Sequence, residues 1–149
     1  MLCLLLFWRI KWIDLKRILH IDKIHDYESE ACVAGERYSA IENIPKFTPS
    51  GKSIYVGGHA YSGEPVIVSQ YKGICFTGDG ADGWGYSSDG DPDEYAKHVA
   101  SITAELIKSP YVQEYCYTQL CDIETEQNGL LTYDRTLKVP LELIRKANQ

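Results

Sequence analysis

The chain has 149 residues, 44% apolar and 24% charged, an ordinary composition for one soluble domain or a part of a larger one. Fifteen basic against twenty-one acidic residues leave a net charge of −6, which argues against nucleic acid or an anionic membrane as partner. Five cysteines (Cys3, Cys32, Cys75, Cys116, Cys121) form no C-x-x-C pair, so reduced thiols in a cytoplasmic setting are expected instead of a disulfide scaffold or a zinc site.

The first segment, from Met1 to Trp8, is apolar but too short to span a bilayer. Its positive charges, Arg9 and Lys11, follow the apolar run, and no small-residue cleavage site comes after them. A core strand or an early start is expected there, not a signal peptide. Residues 1–19 have no firm period and stay unassigned. His20–His25 alternates enough for a strand leading into Asp26-Tyr27, and the composition of Glu28–Asn43 predicts a helix ending before Pro45. Lys46–Gly63 reads as a loop.

Pro65-Val66-Ile67-Val68-Ser69-Gln70-Tyr71 follows, a β-branched run between Gly63 and Gly73. It reads as a strand buried on both faces, Val66–Ser69, of the kind found in parallel sheets. In such sheets the residue just past the carboxyl end of a strand faces the site, and here that residue is Gln70. A glutamate there would be a candidate nucleophile or acid/base; a neutral amide can be neither.

Gly73–Gly90 reads as a loop. Asp91-Pro92-Asp93-Glu94 predicts a capped helix with Tyr95, Val99, Ile102 and Leu106 on one face, stopping at Ser109-Pro110. Val112–Leu120 reads as a strand, Asn128-Gly129 as a turn and Leu141–Ala147 as a last helix behind Pro140. Strands alternating with helices predict α/β architecture: about three βα units around a parallel sheet, with two open edges.

Gly78-Asp79-Gly80-Ala81-Asp82-Gly83 matches G-x-G-x-x-G, but Asp79 and Asp82 would face a pyrophosphate and the helix starts late, so a loop explains it better. Asp89, Asp91 and Asp93 alternate like a calcium loop, yet Pro92 interrupts them and Ala100 holds the twelfth position. Helix capping accounts for them. His20 and His25 point to opposite faces of one strand and cannot share a metal. Neither a metal nor a cofactor is implied. His25 beside Asp26 and Tyr27 suits either a ligand-contacting cluster or a histidine held by a neighbouring loop. Trp84, between Gly83 and Gly85, suits a sugar-stacking or pocket wall or else a core position; Glu124 and Glu126 suit a solvated loop or else acidic site residues; Cys75 has no evident base.

Three segments together resemble a known family: Pro65–Tyr71, Gly83-Trp84-Gly85-Tyr86, and Tyr115–Leu120 continuing to Asn128-Gly129-Leu130-Leu131. They are similar to the C-terminal part of the catalytic barrel of glycoside hydrolase family 2, the β-galactosidase and β-glucuronidase relatives. The likeness runs from about residue 20 to 145, so residues 20–149 are expected to be the end of a (β/α)8 barrel, a partial TIM barrel. The resemblance implies a retaining mechanism with two carboxylates about 5–5.5 Å apart. It puts the nucleophile position at Gln70, and it puts the acid/base on a strand this sequence does not contain. It also implies that Lys72 stands where the family usually has glycine. His25, Tyr27, Trp84 and Tyr117 are the expected sugar contacts. The expectation is a β-glycoside ligand with little or no hydrolysis by this chain alone. The alternative is a non-catalytic carbohydrate-binding module, or one that completes a barrel by pairing with its missing half or a second copy.

Overall fold

The computed structural model describes residues 22–55, 57–72, 74–76, 87–89 and 91–149. His20, the Gly78–Gly83 motif and Trp84 lie outside these residues, as does the first segment with Cys3. Strand β1 (Asp22–Asp26) leads to helix α1 (Ala31–Ser39), and β2 (Val66–Lys72) follows a long connection. Short strands β3 (Ile74–Phe76) and β4 (Ser87–Asp89) come next, then α2 (Pro92–Lys108), β5 (Val112–Thr118) and α3 (Leu141–Ala147). Strands β1, β2 and β5 form a parallel sheet in that order, with β2 in the centre, while β3 and β4 pair in parallel beside it. This is the α/β architecture expected, a parallel three-stranded sheet and its crossover helices.

Both crossover helices lie on one face of the sheet. Ile24, Val66, Val68 and Tyr71 bury themselves there against Ala34 and Tyr38 of α1 and Ile102 and Leu106 of α2. Each such aliphatic side chain contributes about 1.5–3 kcal/mol of burial. A second cluster joins Ile74 and Phe76 of β3 to Tyr95 and Val99 of α2 and Ile144 of α3. The predicted stripe on α2 (Tyr95, Val99, Ile102, Leu106) is buried throughout. Its start is as the residues dictate: the Asp91 carboxylate accepts from the amides of Asp93 at 2.9 Å and Glu94 at 3.1 Å. A Cβ on Gly35 of α1 would lie 2.6 Å from the Glu105 carboxylate of α2, a flexible side-chain end that can swing aside.

Several expectations are corrected. Helix α1 is shorter than Glu28–Asn43 because Ala40 is extended and residues 27–30 form a loop held by the Asp26 and Glu28 carboxylates. A 3₁₀ turn at Ile44–Lys46 opens the connection instead. Strand β2 runs on to Lys72, so Gln70 is inside the strand and not beyond it. It is also closed on one face only: Val66, Val68 and Tyr71 are buried, while Ile67, Ser69 and Gln70 keep partial exposure because no described helix covers them. The stretch read as a loop before α2 contains β3 and β4. Strand β5 ends at Thr118, two residues early.

The turn expected at Asn128-Gly129 lies instead at Glu124-Thr125, closed by the Ile123 and Glu126 backbones bonding each other at 3.0 and 2.8 Å. Asn128 and Gly129 are buried. A Cβ on Gly129 would meet the backbone of Cys121 and Asp122 at 2.4 Å, so the glycine answers a close chain approach and not a turn. Lys138 staples this segment. Its ammonium donates to the Asp122 carboxylate at 2.6 Å and to the carbonyls of Phe76 and Gln127 at 3.0 and 2.9 Å.

Candidate functional site

The register of β2 against its neighbours builds the site. Ile24 pairs with Val68 and His25 with Gln70, so Ser69-Gln70 on β2 oppose one step on β1. The same happens against β5, where Val68 pairs with Tyr115 and Tyr71 with Tyr117. Strand β2 thus carries a β-bulge at Ser69-Gln70, a device that re-aims a side chain. Val68 and Tyr71 both face the helices across it. Gln70 and His25 are left on the opposite face, in a row with Cys116 of β5. His25 is exposed and Gln70 half-buried.

Tyr27 completes the group. It follows β1, and its hydroxyl donates to Gln70 Oε1. Its ring stands edge-on to His25, with centroids 6.4 Å apart. Two of the expected sugar contacts, His25 and Tyr27, are therefore adjacent to Gln70.

The loop that carries Tyr27 is held from behind. Asp26, on the helix-facing side, is buried and accepts from Tyr38 Oη at 2.7 Å and from Arg37. Arg37 also reaches Glu28 at 3.2 Å and lies over the Phe47 ring at 3.8 Å. Burial works against the Glu28 charge, yet the Glu30 amide, Arg37 and the Ser29 amide outweigh it and hold the carboxyl below its ordinary range. On the far side of the loop, His98 Nε2 of α2 lies 2.6 Å from the Ser29 carbonyl. None of these supports was legible in the sequence, because each joins residues that only the fold brings together.

Tyr117 is not part of this group. It faces the helices: its hydroxyl lies 2.8 Å from Tyr95 Oη and donates to the Asn128 carbonyl at 3.0 Å. Its ring stands edge-on to Tyr71, with centroids 5.6 Å apart. Burial, then the neighbouring Tyr95, push its phenol well above the ordinary value, as suits a core hydroxyl. The physical reason is parity. A second irregularity, between Val112 and Glu114 of β5, shifts which residues face the helices, and neither bulge is visible in the residue pattern.

Lys72 ends β2 buried and with φ +82°, in the left-handed region that glycine enters freely. The position that resemblance reserves for glycine is thus one where glycine fits the backbone without cost. Glu124 is exposed in its turn, and Glu126 accepts from Asn128 Nδ2 at 2.9 Å, so both are loop residues. Burial raises the Cys75 thiol above its ordinary value, which leaves it unsuited to nucleophilic work. Among the described residues no three His, Cys, Asp or Glu side chains gather as a metal site, and no helix is long and apolar enough to cross a membrane.

Two open clefts lie away from Gln70, near the amino-terminal ends of the strands. One, about 420 Å³, involves Ile41, Tyr55 and Tyr61, and the other, about 240 Å³, involves Glu64 and Pro110. On the sheet face a bulge, an imidazole, a phenol and an amide converge, whereas the first cleft gathers His59 with Tyr55 and Tyr61 on irregular chain.

No family model matches the chain, and no curated protein matches it. Solved structures do. The Bifidobacterium dentium beta-glucuronidase complexed with coumarin-3-O-glucuronide is 19% identical with a TM-score of 0.53, over 85% of this chain and 20% of that one. The Faecalibacterium prausnitzii beta-glucuronidase is 22% identical with a TM-score of 0.44, over 56% of this chain and 15% of that one. The chain thus spans a fifth or less of either protein. At such identity the first likeness shows the fold, a barrel-like α/β arrangement with a parallel sheet.

Proposed function

We propose that residues 20–149 are the C-terminal part of a (β/α)8 barrel of the family 2 glycosidase type, carrying a sugar subsite without the means to hydrolyse. The observation that carries this reading is the Ser69-Gln70 bulge. It turns Gln70 into register with His25, beneath the Tyr27 hydroxyl, at the position where resemblance puts the nucleophile. An amide keeps the shape and hydrogen-bonding reach of a carboxylate but cannot form a glycosyl ester. The fold shared with a beta-glucuronidase supports the class, and β-linked sugars are the ligand it suggests. Trp84, placed by resemblance alone, would add a stacking wall.

The barrel-completing alternative has its own support: among the described residues β1 and β5 are each paired on one side only.

Calorimetric titration with methyl β-galactosides, β-glucuronides and β-mannosides tests the first reading. Saturable binding that drops about tenfold or more in Gln70→Ala and Trp84→Ala is expected, an effect of the size of one lost stacking or hydrogen-bonding contact. Gln70→Glu is expected to show no turnover of aryl β-glycosides, and turnover there would overturn the assignment of the acid/base to another strand. Absence of sugar binding, together with self-association in sedimentation velocity, would favour the barrel-completing role.

A further inference from the structure

We infer that Gln70 makes this position a hydrogen-bond donor, and that the site prefers sugars oxidised at the anomeric carbon, aldonates, over the parent β-glycosides. The inference rests on the sugar-subsite reading above and adds to it the class of ligand.

The argument starts from the amide. Its carbonyl oxygen is engaged by the Tyr27 hydroxyl, which fixes the rotation of the group. The half left over is Nε2, with two N–H donors and no acceptor. It belongs to a half-buried side chain on the open face of the sheet, beside the exposed imidazole of His25. A glutamate at this position would present negative charge to the same space. Gln70 presents donors instead, so the preferred ligand atom changes from a donor or an electrophilic carbon to an acceptor oxygen.

The surrounding charges agree. Asp26, the carboxylate nearest in sequence to His25, is turned to the other face, paired with Arg37 and hydrogen-bonded by Tyr38. Glu114 stands in register with Ile67, back toward the amino ends of the strands. Lys72, two residues beyond Gln70 on the same strand, is buried and brings no negative charge. An aldonate carboxylate offers acceptor oxygens only, and its bond from an amide is charge-assisted. The ether oxygens at the anomeric carbon of a glycoside are neutral, weaker acceptors. No chemical step is involved; the discrimination is one of binding.

The test is calorimetry on the full chain at pH 7 with gluconate and galactonate, against the methyl β-glycosides of the same sugars. The parent is expected to bind the aldonate more tightly than its glycoside. Gln70→Glu, nearly isosteric, is expected to weaken the aldonate by about tenfold or more, the size of a lost bond to a charged group, and to weaken it more than the glycoside of the same sugar. Tyr27→Phe frees the amide to rotate and is expected to shrink the preference several-fold. Equal or tighter aldonate binding by Gln70→Glu would overturn the inference. Glycoside binding without aldonate binding would overturn it too, and leave the sugar subsite standing. Binding of neither would overturn the subsite reading and this inference with it.

Discussion

The two faces of the β1–β2–β5 sheet carry residues from the same three strands and have opposite physical characters. On one, Ile24, Val68 and Tyr71 meet two helices and are almost wholly excluded from water. Tyr71 there lies 2.8 Å from the Thr103 hydroxyl, and burial drives its phenol above the ordinary range. On the other, His25, Gln70 and Cys116 stand in a row with solvent access and few partners. The first face sets stability and the second leaves polar side chains within reach of solvent. The bulge at Ser69-Gln70 lies between them and decides which residue belongs to which.

The largest effects expected from breaking this division fall on the closed face. Tyr71→Ala should cost about 3–5 kcal/mol, as large aromatic truncations do. Arg37→Leu should cost about as much, because it leaves the Asp26 carboxylate buried with its main counter-charge gone. Gln70→Ala, two strand positions from Val68 but on the open face, should change stability by about 1 kcal/mol or less. Urea unfolding of the three variants checks the contrast, and equal losses would show that both faces are covered.

A middle-sized effect sharpens the backbone side of the comparison. Lys72→Gly and Lys72→Ala both delete the buried stem, and only the alanine retains a Cβ at φ +82°. The glycine variant should therefore be more stable than the alanine variant by about 1 kcal/mol. Equal midpoints in urea would mean that the strand end relaxes out of that conformation.

The smallest effect is on the loop that joins the faces. Glu28 has its carboxyl held below the ordinary range, so its contribution is present above the unfolded value and is lost as pH falls through the folded one. Asp22 is pushed the opposite way by burial, opposed by its bond from Tyr55 and helped by Glu64; it costs stability at neutral pH and that cost is relieved on acidification. Between pH 7 and pH 3 the two should partly cancel. Removing Glu28 as Glu28→Gln should flatten the acid limb of the stability profile, and an unchanged limb would place its origin elsewhere.

Much of the architecture was legible because it is local. Helix α2 announces itself through the Asp91 cap, the helical spacing of Tyr95, Val99, Ile102 and Leu106, and Pro110 beyond its end. The core of β2 is legible from its β-branched run, and His25 and Tyr27 from their place at a strand end. The differences come from tertiary contacts. Tyr117, expected from the resemblance among the sugar contacts, stands on the helix side, where two bulges set the strand parity. Asn128-Gly129 was read as a turn because a glycine needed for chain approach has the same letter as one needed for positive φ.

By itself, the sequence determined the α/β class, the capped amphipathic helix and the neutral amide at Gln70, since these depend on side-chain chemistry and short-range periodicity. Only the tertiary structure decided that Gln70 sits inside β2 on a bulge, that Tyr27 claims its carbonyl, and that Tyr117 belongs to the core. Those facts depend on register between strands dozens of residues apart, which no local pattern encodes.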